Sequence, residues 1–370
     1  MSNSLTHREQ TMKNSLLKPI ILGQYSLKNR VIMAPLTRGR AGKHGIPTEL
    51  MAQYYQQRAS AGLIIAEATA VSKDGRGWMN SPGLYTDDQQ AGWKKVADAV
   101  HQKEGRIFVQ LWHMGAAVHP DFLNDEAPVS ASNVTLTGQL PTPKGRDRAM
   151  AEPKPLTQEG IHQQVLNFVQ ASRRAIDAGL DGVEIHAANG FLIDQFTRDS
   201  TNKRNDEYGG NINNRLRFMM EVVKAVCDEI GADKVGIRLS PTNSVWQVSD
   251  SQYKETFSQA VLQLNSFNLA YLHLLEPKPN SGHGMETIDY VTPLLREKYT
   301  GLLIANGGYD KDSAKDALDN KLADAISFGV PFIANPDLVE RFENTDELSA
   351  PNPELFYTNG PEGYVDYSIA

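Results

Sequence analysis

Leu180-Asp181-Gly182-Val183-Glu184-Ile185-His186-Ala187-Ala188-Asn189-Gly190-Phe191 is the stretch from which the fold is read. Leu180 to Ile185 is an apolar run of the kind buried in a parallel strand. The run ends by presenting His186 and Asn189, two hydrogen-bonding side chains three positions apart. Together they can grip one oxygen atom of a ligand. Two places further on stands Phe191, which has no proton to give.

Seven more runs of this type lie along the chain. The full set is residues 30–37, 63–69, 107–113, 182–188, 235–241, 270–276, 302–308 and 325–330. Segments of helical period alternate with them at 48–61, 87–102, 157–178, 213–230, 251–267, 288–299, 312–320 and 336–343. In 157–178, Ile161, Val165, Phe168, Val169, Ser172, Ala175 and Ile176 share one face, and Gly179 stops the helix. Thr86 and Thr157 are N-caps. Eight strand–helix alternations predict a single α/β domain folded as a (β/α)8 TIM barrel. A doubly wound sheet is the competing architecture. Residues 18–29 predict an N-terminal hairpin closing the barrel floor. Residues 127–155 form a long loop after the third strand, with little period, expected on the catalytic face as a lid or pocket wall.

Composition narrows the function classes. The chain has 370 residues, of which 40% are hydrophobic, enough for a large core. A net charge of −7 provides no electrostatic footprint for nucleic acid or an anionic membrane. The lone Cys227 sits in a helical pattern and allows no intramolecular disulfide, as expected of a reducing compartment. Residues 1–15 are polar and read as a flexible leader without the apolar segment of a signal peptide. Residues 16–370 read as the barrel domain. No apolar run approaches the roughly 20 residues needed to span a bilayer. The expectation is a cytoplasmic protein, monomer or homodimer, with no metal site.

Barrel enzymes place chemistry at the C-terminal strand ends. The first strand ends in Pro35-Leu36-Thr37, offering backbone amides and a hydroxyl. The second ends in Glu67-Ala68-Thr69, small enough for a flat ring. Gln110, on the third, donates and accepts at once, which suits an imide-like edge. Arg238, on the fifth, is costly to bury unless paired, and a ligand that gathers negative charge is a fitting partner. Asn306-Gly307-Gly308 and Gly329-Val330 end the last two strands, the usual phosphate-binding location in such barrels. These ends describe a flat, polar-edged ring carrying a phosphate. Flavin mononucleotide and a phosphosugar both meet that description.

At these residues the chain resembles the Old Yellow Enzyme family, the flavin-dependent ene-reductases. The matching stretches are 29–38, 110–115, 181–190, 194–196, 204–210, 214–218, 332–338 and 362–367, in order from about Leu17 onward. The resemblance implies FMN as bound cofactor and NADPH or NADH as reductant. It implies that Thr37 bonds a flavin carbonyl, that Gln110 holds the pyrimidine edge, and that Arg238 stabilises the anionic reduced ring. It implies that His186 and Asn189 bind the oxygen of a small electrophilic substrate, with Trp78, Phe191 and Tyr357 walling the pocket. The tail at 362–367 is implied as a partner contact or pocket rim. The implied reaction is ping-pong reduction of activated alkenes, nitro compounds or quinones.

Three positions depart from the family pattern. Phe191 stands where a proton-donating tyrosine is usual, a group worth about 10²–10⁴-fold. Val330 stands where an arginine commonly meets the flavin phosphate, so FMN affinity is expected to fall by about one or two decades unless another cation such as Lys311 or Arg341 compensates. Ala116-Ala117-Val118 stands where an arginine and a serine are usual. The Phe191 departure keeps open a slow reductase or isomerase, and a flavin-binding protein with little turnover.

Overall fold

In the computed structural model, which describes residues 14–276, 290–344 and 346–369, the eight runs become eight parallel strands. They are β1 Val31–Met33, β2 Leu63–Ala70, β3 Ile107–Trp112, β4 Gly182–His186, β5 Val235–Leu239, β6 Tyr271–Leu275, β7 Leu303–Asn306 and β8 Ala325–Phe328. β8 pairs with β1, so the sheet closes and no edge remains. Closure excludes the doubly wound alternative. Nearly every strand residue is buried, because helices cover the outer face and side chains fill the inner one.

The helices following each strand are α1 Glu49–Gln56, α2 Asp87–His101, α3 Gln158–Asp177, α4 Ile212–Ile230, α5 Tyr253–Leu264, α6 Thr292–Lys298, α7 Lys311–Asp319 and α8 Leu338–Asn344. Thr86 caps α2 with a full capping box to Gln89, and Thr157 caps α3. Ile161, Val165, Phe168, Ser172 and Ala175 form the buried face of α3, as their spacing predicts. Two short helices, Leu192–Thr197 and Val330–Ala334, lie in strand-end loops.

The floor is closed by an antiparallel hairpin, Ile20–Leu22 with Tyr25–Leu27. Its Leu22 and Leu27 pack with Phe108, Tyr271 and Ile304 at the bottom of the barrel. Of the leader expected over 1–15, Met1–Lys13 lie outside the described residues. Asn14 caps a short 3-10 helix, Ser15–Leu17, that belongs to the fold.

The loop after β3 is more ordered than its composition implies. Gln139–Thr142 pairs antiparallel with Gly145–Ala149, and Val129–Ser130 pairs with Lys154–Pro155. Arg204 ties this segment to the barrel by donating to the Ala131 and Leu156 carbonyls. The segment does not line the central cavity, contrary to the lid expectation. Leu136, Leu140 and Met150 instead pack behind the cavity wall, against a cluster containing Trp112, Phe191 and Val248. Among the described residues, no helix is long and apolar enough to cross a membrane.

Candidate active site

Local irregularity at the strand ends aims the side chains. The β2–β3 register shifts between Ala66 and Thr69, a bulge that re-aims the residues within it. Glu67 turns to accept from the Arg38 and Gly39 backbone N–H groups and from the Tyr55 hydroxyl. Ala68 turns to the barrel mouth.

There a cavity of about 390 Å³ is lined by Pro35, Leu36, Thr37, Ala68, Trp78, Gln110, His186, Asn189, Phe191, Arg238, Val330 and Tyr357. All of these are read from the sequence. Asn306, Gly307, Gly308 and Gly329 are not among the lining residues. Asn306 joins the site indirectly, its Oδ1 accepting from Arg238 at 2.8 Å. Sequence reasoning missed Arg38, Trp112, Asn243, Val245, Trp246, Ile333 and Phe356, which complete the lining.

Beneath the cavity runs a buried polar chain. Gln110 Nε2 donates to Glu184 Oε1 at 2.7 Å, which leaves its carbonyl oxygen and second N–H for a ligand edge. Glu184 Oε2 lies 2.8 Å from His273 Nδ1, and His273 Nε2 lies 2.8 Å from Ser327 Oγ. Burial pushes the Glu184 carboxyl up, but the His273 contact and the Arg238 charge outweigh it and hold the group low. Burial and the Arg238 charge lower His273, which serves as a neutral, packed ring.

Arg238 is fully enclosed, and desolvation lowers its guanidinium even with Glu184 nearby. Its Nε, together with His186 Nδ1 and Trp112 Nε1, is buried without a protein partner among the described residues. Buried polar atoms are normally satisfied. The residues that carry these atoms line one cavity with Gln110, and that set of nitrogen-bearing side chains fits the polar rim of a flavin ring with a charged side. Burial first, then Arg238 and His273, drive His186 well below the ordinary histidine value. It is therefore a neutral hydrogen-bonding ring at physiological pH.

The walls are aromatic. Trp78 and Tyr357 face each other with ring centroids 5.4 Å apart. Phe191 meets Trp112 at 4.9 Å and Trp246 at 5.6 Å, both edge-on. Trp246 sits at φ 55°, a left-handed conformation a bulky residue rarely adopts. Its carbonyl accepts from Thr137 N at 3.2 Å, so the loop after β3 holds it there.

A second layer locks the strand-end loops together. Asp194 pairs with Arg198 at 2.7 Å and accepts from Gly190 N. Arg198 in turn donates to the Ser240 and Pro241 carbonyls. Gln195 spans the loops after β3 and β4, donating to the Met114 and Gly190 carbonyls and accepting from Ala116 N. A Cβ at Gly115 would lie 2.2 Å from Gln195 Oε1, so only glycine fits there.

The C-terminal segment forms the rim. Arg38 and Arg40 donate to the Phe356 carbonyl, and Tyr364 stacks on Tyr54 at 4.0 Å. Arg341 is not free to compensate at Val330. It is paired with Asp337 at 2.8 Å and bonds the Glu347 carbonyl.

Residues 15–348 match the model of the NADH:flavin oxidoreductase / NADH oxidase family. The chain is 41% identical to 12-oxophytodienoate reductase 1 of Oryza sativa subsp. japonica, over 95% of this chain and 92% of the relative. A solved old yellow enzyme homologue from Zymomonas mobilis superposes with a TM-score of 0.94 at 42% identity, covering 96% of this chain and 100% of that one. Morphinone reductase in complex with tetrahydroNAD superposes with a TM-score of 0.91 at 42% identity, covering 96% and 98%.

Proposed function

We propose residue roles for a chain that belongs to the NADH:flavin oxidoreductase / NADH oxidase family, the Old Yellow Enzyme family of ene-reductases. It is an FMN-dependent oxidoreductase that draws on a nicotinamide coenzyme and reduces activated alkenes. When bound, FMN supplies the hydride carrier, and the protein supplies binding, orientation and electrostatics.

Gln110 and Thr37 hold the polar edge of the ring. Pro35, Leu36 and Ala68 form its bed, and Arg238 offers a cation where negative charge gathers. Asn306, Gly307, Gly308, Gly329 and Val330, at the ends of β7 and β8, form the phosphate side. His186 and Asn189 donate hydrogen bonds to the substrate oxygen. This draws electron density from the β-carbon and stabilises the charge that develops on oxygen. His186 does so as a neutral ring, so it polarises the oxygen without giving up its proton. Trp78, Phe191 and Tyr357 enclose the substrate and exclude water from its faces. The alkene gains a hydride at the β-carbon and a proton at the α-carbon. Phe191 has no proton to give, so the proton comes from solvent that enters at the open rim beside Tyr357.

One observation carries this reading. Arg238, His186, Gln110 and Asn189 bring their nitrogen-bearing side chains to a single cavity. A second reading rests on Phe191, held among the Trp112, His186 and Trp246 rings. With no acid at that position, quinone and nitro substrates, which need no carbon protonation, are favoured over alkenes. A cytoplasmic location, a monomeric or homodimeric state and a single domain over 16–370 complete the proposal. They are supported by the lone cysteine, the charge of −7 and the closed barrel.

Stopped-flow in two halves tests it: flavin bleaching by NADPH and by NADH, then reoxidation by 2-cyclohexenone and separately by a quinone. Fast reoxidation by both supports water as proton source. Fast reoxidation by the quinone alone selects the second reading. A colourless protein, or one that no coenzyme bleaches, overturns the assignment of these residues.

A further inference from the structure

We propose that Asn243 is a positioning residue that fixes Asn189 as a hydrogen-bond donor, and thereby fixes the preference of the cavity for ligands that present a carbonyl acceptor. The proposal rests on the function above, since it presumes that Asn189 meets the substrate oxygen.

The backbone N–H of Val245 can only donate, and it donates to Asn243 Oδ1 at 2.8 Å. That contact forces the Asn243 Nδ2 to the opposite side. There it donates to Asn189 Oδ1 at 2.9 Å. Asn189 therefore has its carbonyl oxygen occupied and its Nδ2 left over. Among the described residues no protein group takes that Nδ2, and Asn189 lines the cavity. The direction of one backbone amide in the loop after β5 is passed through Asn243 to the end of β4.

The chain is built to hold. Asn243 is 3% exposed. Asn189 sits at φ 59° with its own backbone N–H donating to Ser240 Oγ at 2.8 Å. The next residue, Gly190, is held by the buried Asp194 carboxylate. The backbone carrying the Asn189 amide is thus pinned, and the amide has one remaining freedom, rotation about its terminal bond. The two ends of a carboxamide are nearly equal in size, so packing cannot choose between them. Only a partner of fixed polarity can, and Asn243 is that partner.

Asn243→Asp inverts the relay. One carboxylate oxygen accepts from Val245 N–H as before, and the other accepts from Asn189. The Asn189 amide then turns its Nδ2 toward residue 243 and its oxygen toward the cavity. Asn243→Ala removes the partner and leaves both orientations open. The two variants separate polarity from bulk, which a merely structural role would not do.

The test measures FMN-loaded enzyme binding 2-cyclohexenone, an acceptor, and 2-cyclohexen-1-ol, which can also donate. Both Kd values are read from the perturbation of flavin absorbance, with thermal midpoint and flavin content as folding checks. The expected ketone-to-alcohol preference falls by about tenfold in Asn243→Ala, the scale of one neutral hydrogen bond. In Asn243→Asp it falls by about a hundredfold and reverses, because an acceptor now opposes the ketone oxygen. Equal ratios in the two variants, or an unchanged ratio in Asn243→Asp, overturn the proposal. If Asn243→Asp is not recovered folded, Asn243→Ala alone decides, and an unchanged ratio overturns the proposal. A wild-type enzyme that neither binds nor reduces the enone overturns the functional reading, and the proposal with it. Wild-type turnover with indifferent variants overturns the proposal alone.

Discussion

The Phe191 ring meets the His186 ring edge-on, with centroids 5.0 Å apart and planes at 81°. An apolar ring, two positions beyond Asn189, therefore borders the histidine proposed to bind the substrate oxygen. Phe191→Tyr adds a hydroxyl at this position without changing the ring. The expected outcome is a rise of about 10²-fold in reoxidation by 2-cyclohexenone, the lower end of what a general acid contributes. Flavin reduction by NADPH is expected to stay the same, since no carbon is protonated in that half. Stopped-flow on each half checks it, and an unmoved alkene rate places the proton source elsewhere.

Arg40 holds the rim from below. It donates to the Phe356 carbonyl at 2.7 Å, the Leu355 carbonyl at 3.1 Å and the Thr358 hydroxyl at 2.8 Å. Each acceptor lies next to or near Tyr357, whose ring faces Trp78. Arg40→Ala leaves the Phe356 carbonyl to Arg38 and the Leu355 carbonyl to the Thr358 hydroxyl and removes the remaining ties, at a cost of about 1–3 kcal/mol. The expected result is a several-fold higher KM for the enone with kcat little changed, and earlier proteolytic cleavage within 353–363. Steady-state kinetics and limited proteolysis measure both.

Eight barrel strands were legible because a parallel strand buried on both faces leaves an almost uninterrupted apolar run. The caps at Thr86 and Thr157 were legible because capping is local. What escaped was non-local or conformational. Asn243 and Trp246 lie in an irregular loop with no period, and Trp246 reaches the cavity only through a left-handed backbone. The contact of Arg38 with the Phe356 carbonyl spans 318 positions and leaves no pattern in either segment. The hairpin at 139–149 is short and bulged, and its alternation is broken by Pro141 and Gly145. The strand end made His186 and Asn189 legible as a pair and the family resemblance implied a substrate for them, but only the geometry explains how Asn189 is oriented.

Glu184 joins Gln110 and His273 and lies within the field of Arg238. Glu184→Gln removes the only buried anion of that chain and leaves the guanidinium less compensated. Breaking a buried charge set in this way costs about 3–5 kcal/mol. Urea unfolding of the holoenzyme is expected to show that loss. Because a glutamine at 184 can turn either end of its amide to Gln110, the Gln110 amide is less firmly oriented, and faster FMN release during dialysis is expected as well.

Val330 is 51% exposed at the rim of the cavity and brings no charge to it. Val330→Arg offers the phosphate a charge-assisted bond, worth about 1.5–3 kcal/mol. FMN affinity is expected to rise by about tenfold or more, read from quenching of FMN fluorescence on titration into apoprotein. An unchanged affinity places the phosphate away from β8.

Burial and the Arg238 charge depress both His186 and His273. In the unfolded chain these rings return to about 6.5. With the folded values below the unfolded ones, the unfolded state binds more protons in that window. The stability they contribute is complete above about pH 6.5 and is lost as pH falls through that value toward the folded ones. Glu67 and Asp194, raised by burial, act in the opposite direction, so the total slope mixes signs. The comparison that isolates the histidine is His186→Asn against wild type. Between pH 7 and pH 5 the wild type is expected to lose more stability than the variant, by up to about 1.4 kcal/mol per pH unit. Urea midpoints at pH 7, 6 and 5 measure it. Parallel curves would mean that His186 keeps its ordinary value in the fold, whereas a wild type that loses less stability than the variant would mean that the ring is held charged and can act as an acid, which would reassign the source of the proton that Phe191 cannot supply.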